Sequence, residues 1–353
     1  MTLESLGWNT RFDGAFGPYR TLGLEAVRVT AEHRGQYRVM GGARECAAVI
    51  SGKLRNSAAS HVDYPAVGDW VALKHGSDGD LGVIHAVLPR ASVFLRKAAG
   101  RATEEQVIAA NIDIVLLVSG LDGDFNVRRI ERYVALSWES GATPVVVLNK
   151  TDVCGDVAAR VREVEAVACG VDIVTLSAAR EEGIDRVRAY LRPGRTLALL
   201  GSSGVGKSTL INALLGQVRM ETGAVREEDS RGRHTTTHRE LILAPAGGMV
   251  IDTPGMRELH LWGDETGFER TFEDIMQLAK ECRFRDCGHE SEPGCAVRAA
   301  LESGLIDAGR WESYRRLGRE LDYLARKQNQ RLAAMEKAKW KQISKEIRRI
   351  KKY

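Results

Sequence analysis

Nine consecutive residues, Gly201-Ser202-Ser203-Gly204-Val205-Gly206-Lys207-Ser208-Thr209, have the types and spacing of a phosphate cradle. They fit G-x-x-x-x-G-K-[ST], in which glycines let successive backbone N–H groups point inward at a phosphate chain. In that arrangement Lys207 reaches the β- and γ-phosphates and the Ser208 hydroxyl sits on Mg²⁺. The flanks suit this reading. Thr196–Leu200 is an apolar, strand-like run, and Leu210–Leu215 has helical character. A helix that starts there adds the partial positive charge of its N-terminus to the cradle.

A second motif selects the base. The apolar run Pro144–Leu148 leads directly into Asn149-Lys150-Thr151-Asp152. A carboxylate at the C-terminal end of a strand accepts from both the N1–H and the N2 amino group of guanine. Adenine offers no such pair and would leave Asp152 unpaired; a site built on hydrogen bonds rejects the wrong ligand by ~10⁴–10⁵-fold. Asn149 would hold the loop, and the Lys150 stem would lie across the base. Ser177-Ala178, again just after a strand-like run, fits the short loop whose backbone N–H reaches guanine O6.

Asp252-Thr253-Pro254-Gly255 follows the apolar Met249–Ile251. There Asp252 can hold Mg²⁺ through water and the Gly255 N–H can bind a γ-phosphate, a contact that exists only with the triphosphate. Upstream, Gly232-Arg233-His234-Thr235-Thr236-Thr237 offers Thr236 to complete the Mg²⁺ shell. Met256 stands where many GTPases carry a water-orienting Gln, and a thioether cannot do that task. Hydrolysis is therefore expected to be slow alone, with a partner supplying ~10³–10⁵ in rate. His234 is the candidate catalytic, water-positioning group, against the alternative of a solvent-exposed histidine in a loop. A P-loop ATPase is the rival reading of the cradle, and Asp152 argues against it.

Cys282-x₄-Cys287-x-His289-x₅-Cys295 offers three thiolates and an imidazole in one short span. That is a closed Cys₃His set, the signature of one structural Zn²⁺ rather than a catalytic ion. Cys46, Cys154 and Cys169 are scattered, a distribution that favours a metal site over disulfides.

The elements that must position these groups are legible in outline. At 353 residues the chain exceeds one ordinary core. Short alternating runs at Ala26–Thr30, Tyr37–Met40, Glu45–Ile50, Asp69–Leu73 and Gly82–Leu88, separated by turn residues, predict a small OB-type β-barrel. Arg44, Lys53, Arg55, Tyr37 and Trp70 are its candidate nucleic-acid contacts, the alternative being a barrel that only packs. From about Ala102 strands alternate with helices: Asn111–Ser119, helix Val127–Glu139, Pro144–Leu148, helix Val157–Cys169, Ile173–Leu176, helix Ile184–Leu191, the cradle, then Leu241–Leu243 and Met249–Ile251. Such alternation means a largely parallel sheet covered on both faces.

The expected division is 1–23 as a flexible N-terminus, 24–97 as the OB-fold, 98–260 as the nucleotide domain and 261–353 as a helical zinc-binding domain with a basic tail. That tail, Arg326–Tyr353, holds eleven Lys/Arg against two Glu, leaving the rest of the chain at about −5 of the net +4. A basic tail on a mildly acidic body points to a polyanionic partner. No apolar run of 18 residues exists and the first 25 residues hold no apolar leader core, so the expected place is the cytoplasm.

The order of the motifs is unusual. In a common GTPase the P-loop comes first; here the guanine-reading elements precede it, as in a circularly permuted G domain. Barrel, permuted motifs and the Cys282/Cys287/His289/Cys295 spacing together resemble the ribosome small-subunit-dependent GTPase A family (RsgA, also called YjeQ) over essentially the full length. That resemblance implies a bacterial, cytoplasmic, monomeric GTPase acting late in small ribosomal subunit maturation. It implies rRNA binding through the OB-fold and the zinc domain, hydrolysis stimulated by the subunit with the switch histidine as catalytic group, and release upon hydrolysis. The competing class is a nucleotide-gated RNA-binding scaffold in which hydrolysis is incidental.

Overall fold

The computed structural model describes residues 2–33, 35–42, 44–76, 81–97, 105–217, 239–252, 265–323 and 325–326. The chain divides into two compact units, 1–260 and 261–353.

The N-terminal stretch is not the poorly ordered segment that its glycines and polar residues suggest. A 3₁₀ turn at Glu4–Leu6 leads to helix α1 (Thr10–Arg20), whose N-cap Asn9 accepts from the N–H groups of Arg11 and Phe12. The cause is aromatic burial. Trp8 meets Trp70 edge-on at 4.8 Å, and Phe12 and Phe16, at helical spacing from Trp8, are buried in the same cluster.

Strands β1 (Glu25–His33), β2 (Gln36–Met40) and β3 (Glu45–Ile50), the short helix α2 (Gly52–Ser57), then β4 (Trp70–His75) and β5 (Leu81–Val87) build the predicted barrel. They close in the ring β1-β2-β3-β5-β4-β1, antiparallel except for β3 with β5. This is the five-stranded, OB-like closure. Alternation puts Val27, Val29, Val39, Val71, Leu73 and Ile84 inside. Tyr37 and Trp70 are buried too, so neither is available to stack on a nucleic acid, which corrects that expectation; Arg44, Lys53 and Arg55 are exposed.

A hairpin that the sequence did not reveal, β6 (Val93–Lys97) with β7 (Glu105–Ala110), links the barrel to β8 (Ile114–Gly120). β8 starts three residues later than the apolar run suggests, because Asn111 adopts φ 56° and turns the chain. Its amide side chain secures the turn, donating to Gly68 O and accepting from Ala91 N–H. Then come α3 (Val127–Glu139), β9 (Thr143–Asn149), α4 (Val157–Glu165), β10 (Asp172–Thr175), α5 (Ile184–Arg188), β11 (Thr196–Leu200), α6 (Lys207–Leu215), β12 (Arg239–Leu243) and β13 (Met249–Asp252). The order β10-β9-β8-β11-β13 is parallel throughout, and antiparallel β12 continues it into β1 of the barrel. Nearly every side chain of β9 and β11 is buried, as a sheet covered on both faces requires.

One buried arginine ties the parts of this unit together. Arg28 of β1 donates to the carbonyls of Leu6, Gly68 and Asn111, at 2.5, 3.1 and 2.9 Å. Burial pushes its pKa down to about 10, against the pull of Asp113 and Asp69, so it stays charged at neutral pH.

The second unit holds α7 (Glu265–Thr271), α8 (Glu273–Lys280), α9 (Ala296–Glu302) and a helix over 308–323. Phe268, Phe272, Ile275, Val297, Leu317 and Leu321 form its buried apolar set. Arg310, also buried, grips both carboxylate oxygens of Asp274 at 2.6 and 2.7 Å. The basic tail beyond Arg326 lies outside the described residues.

Candidate nucleotide site and metal centre

The parallel strands deliver their loops to one edge, outside their carboxyl ends, where open α/β sheets bind ligands. β9 ends at Asn149, β11 runs into Gly201, and β13 ends at Asp252. β10 leads to Ser177-Ala178. The two halves that lie apart in sequence are joined by one side chain. Asn149 is buried; its Nδ2 donates to Val205 O at 2.7 Å, and its Oδ1 accepts from Ala178 N–H at 2.9 Å. A single amide thus fixes the guanine-type loop, the cradle and the Ser177-Ala178 turn to one another.

The cradle needs its glycines here for backbone reasons. Gly206 has φ 95°, and a Cβ at that position would sit 2.3 Å from Asn149 Nδ2. We expect Gly206→Ala to cost about 2–5 kcal/mol of stability, from left-handed strain plus the broken Asn149 bonds. Denaturant unfolding of the nucleotide-free protein measures this, and a loss below about 1 kcal/mol would show that the loop relaxes freely. Lys207 Nζ donates to its own loop, to Gly201 O at 2.9 Å and Ser202 O at 2.6 Å. Val205 is buried beneath the turn, Ser203 and Gly204 are exposed, and Ser208 and Thr209 begin α6.

A cavity of about 230 Å³ opens between the two loops, lined by Asn149, Lys150, Asp152, Ala178, Gly204, Gly206 and Thr209 among others. Asp152 accepts from Ser177 Oγ–H at 2.6 Å, and this bond, with Arg180 and Lys150 nearby, holds its carboxyl below the usual range despite desolvation. Thr151 opens a 3₁₀ turn and donates its N–H to Leu176 O. Asp252 is largely buried, and burial lifts its pKa to about 6; Lys207 opposes the rise and Glu240 adds to it. A divalent cation there would reverse that balance. His234, Thr236 and Gly255 lie outside the described residues.

Two further side chains that no motif covers reach this edge. Asp122, just beyond β8, pairs with Lys150 Nζ at 2.5 Å. Asp124 accepts from Ser202 Oγ–H and from Arg129, whose Nη2 lies 2.8 Å from Oδ2. The sequence signal was available: an acidic pair directly after a buried strand, on the ligand-binding edge.

In the second unit the donor atoms of Cys282, Cys287, His289 and Cys295 all lie within 4.8 Å of one another. Cys282 Sγ and Cys295 Sγ are 3.9 Å apart, and His289 Nδ1 lies 3.5 and 3.4 Å from them. A tetrahedral zinc with ordinary bond lengths requires edges of roughly 3.8 Å between sulfurs and roughly 3.6 Å from sulfur to nitrogen. The cluster has the dimensions to hold a metal ion, and Nδ1 is the imidazole donor. Glu292 braces the loop, accepting from the N–H groups of Gly288, Glu290 and Ser291. Backbone donors, its own N–H first, hold its pKa down to about 2. That bracing is complete above the ordinary glutamate range near 4.5 and is lost only as pH falls toward 2. A carboxyl-carbon NMR titration should place the Glu292 midpoint well below 4; a midpoint near 4.5 would remove the brace.

The comparisons agree with this geometry. Residues 87–262 match the family model for the RsgA GTPase. The chain is 50% identical to the small ribosomal subunit biogenesis GTPase RsgA of Opitutus terrae, over 97% of this chain and 96% of that protein. It is 47% identical to RsgA 1 of Oceanobacillus iheyensis, covering 90% and 91%. Among solved structures, YjeQ from Thermotoga maritima superposes with a TM-score of 0.62 at 28% identity, over 84% of this chain and 98% of that one. YloQ, described as a circularly permuted GTPase, gives a TM-score of 0.60 at 21% identity over 86% and 96%, which speaks for the fold alone. With the reversed loop order built into one parallel sheet behind a five-stranded barrel, the chain belongs to the RsgA GTPase family and is a circularly permuted GTP hydrolase.

Proposed function

We propose that this GTPase acts in late maturation of the small ribosomal subunit, binding rRNA and hydrolysing GTP to GDP and phosphate under stimulation by the subunit. The observation that carries the nucleotide half is the Asn149 amide, which bonds to both the cradle and the Ala178 turn. Around it, Asp152 reads the guanine edge, the Lys150 stem covers the base, and the Ser177-Ala178 turn faces guanine O6. The backbone of 201–206, the Lys207 ammonium and the start of α6 take the phosphates. Ser208, Thr236 and Asp252 would hold Mg²⁺, which would supply neutralising charge for the phosphates; Gly255 would sense the γ-phosphate, and His234 would orient the attacking water. Cys282, Cys287, His289 and Cys295 would hold one structural Zn²⁺, for which their donor set and spacing are suited.

The ribosomal half rests on the relatives, which are named as small ribosomal subunit biogenesis GTPases. In this reading the barrel (24–97) and the zinc domain (261–353) flank the G domain (98–260) and carry the rRNA contacts, with the basic tail adding phosphate contacts. The protein works as a cytoplasmic monomer; among the described residues no helix is long and apolar enough to cross a membrane. Steady-state GTP turnover with and without purified small subunits tests it. The expected result is stimulation by ~10²-fold or more, within the range that activators supply. Unstimulated turnover would favour the nucleotide-gated RNA-binding scaffold instead.

A further inference from the structure

The loop over 121–126 connects β8 to α3 and belongs to none of the guanine-nucleotide motifs. Its first N–H, of Leu121, donates to Asn149 O at 2.8 Å, beside the base-reading loop. Asp122 then turns the chain: its Oδ1 accepts from Asp124 N–H and its carbonyl from Phe125 N–H. Asn126 closes the loop by capping α3, accepting from Arg129 N–H at 3.0 Å. The outcome is a short turn held by its own hydrogen bonds, with two carboxylates pointing to different neighbours. Asp122 holds the Lys150 ammonium; Asp124 holds the Ser202 hydroxyl of the cradle.

We infer that this loop is a brace that fixes the guanine-reading loop and the phosphate cradle at one separation, with Asp122 and Asp124 as positioning residues for nucleotide binding. The inference rests on the nucleotide reading proposed above and deepens it. A lysine stem is flexible, and it lies flat over a base only if its ammonium is anchored at the far end. Lys150 already holds a left-handed backbone, φ 66°, so its side-chain direction is fixed at the root by the main chain and at the tip by Asp122. Ser202 sits at the second position of the cradle, where a shift of its backbone moves the N–H groups that take phosphate. Two carboxylates beside a polyphosphate would repel it if they were bare. Neither is: Lys150 offsets Asp122, and Arg129 offsets Asp124. Residues 149–152 and 201–209 are separated by α4, β10, α5 and β11, so the brace would join loops distant along the chain.

Both pairs are partly exposed, and as ordinary surface ion pairs they would contribute little to stability. The brace therefore predicts an effect on affinity that appears only through the partner. GDP titration calorimetry on the full chain would be run for Asp122→Asn, Lys150→Met and the double variant, and likewise for Asp124→Asn, Ser202→Ala and their double variant. Each single change should weaken GDP about tenfold, the scale of one charge-assisted hydrogen bond, and each double should match its weaker single. For Asp122→Asn and Asp124→Asn the loss should appear in KM, with kcat at saturating GTP changed less than about threefold and the nucleotide-free unfolding midpoint by less than about 2 °C. Additive losses within either pair, or a lowered midpoint with unchanged GDP affinity, would overturn the brace. Should Asp122→Asn fail to fold, Asp122→Glu, which keeps the charge and displaces it by one methylene, takes its place in the same cycle, where additive losses again overturn the brace. Failure of the wild type to prefer GDP over ADP would instead sink the nucleotide site itself.

Discussion

Asp152→Asn is expected to weaken GTP and GDP by about 10²–10⁴-fold while raising affinity for the xanthine analogues. The carboxylate is charged at any working pH, because Ser177 Oγ–H, Arg180 and Lys150 all favour the ionised form. Ser177, itself fully buried, donates to Oδ1 and so fixes the plane of the carboxylate. Asp152 lines the cavity, and a carboxylate's two acceptor oxygens match the two adjacent N–H donors of guanine. Each charge-assisted bond is worth about 1.5–3 kcal/mol when its loss leaves a partner unpaired. The amide keeps the shape and the Ser177 contact but turns one acceptor into a donor, which then opposes the guanine N2 amino group. Xanthine carries a carbonyl at that position and accepts from the new donor. Competition of GDP and XDP against a fluorescent nucleotide gives both numbers at once. An unchanged ratio would mean that the base does not sit against Asp152, and the site built around Asn149 would need another ligand.

The loops that the structure gathers at the carboxyl edge of the sheet were legible because each is a short string with local signals: Gly201 and Gly206 for tight backbone turns, Lys207 and Ser208 at a helix start, Asp152 just past a strand end. The sheet was legible because buried parallel strands read as unbroken apolar runs, as at Val145–Leu148. Barrel strands matched for the opposite reason, since one polar face makes them alternate. What stayed hidden depends on partners distant in sequence. The brace residues Asp122 and Asp124 meet Lys150 and Ser202 at separations of 28 and 78 residues, which no window along the chain can show. Trp70 reads as a candidate stacking platform until Trp8 and Phe12 are seen to pack against it. In the N-terminal helix the aromatics do recur at helical spacing, but Gly14, Gly17 and Pro18 dilute the pattern within the same eleven residues. Burial against the barrel, rather than helix propensity, decides the outcome there.

On the proposed zinc occupancy of the Cys₃His cluster, stripping the metal is expected to unfold the unit over 261–353 while guanine-nucleotide binding persists. The described apolar core of this unit is small, resting on residues such as Phe272, Ile275, Val297 and Leu317. Structural zinc contributes ~10–16 kcal/mol of binding free energy to such domains, more than a small core supplies. The ligand geometry also organises the chain around it: Cys295 caps α9 by accepting from Arg298 N–H, and the His289 ring meets Trp311 edge-on at 5.8 Å. A metal held by Cys295 and His289 would therefore anchor a helix start and an aromatic contact at the same point. The metal-free thiols give the pH dependence. Desolvation, together with the neighbouring Cys295 and Cys282 groups, pushes the Cys287 thiol up to about 11, against the pull of the His289 N–H. It is thus protonated at neutral pH without the ion, and zinc binding must release its proton. Zinc affinity should then fall as pH drops, because protons compete for the donors. Atomic emission should find one zinc per chain, and none in Cys295→Ser, where a hydroxyl replaces a buried thiolate. Circular dichroism of that variant should show lost helix, and proteolysis should cut within 265–326. Undiminished helix and protease resistance in zinc-free protein would mean that the Phe268, Phe272 and Tyr314 rings hold this unit without a metal.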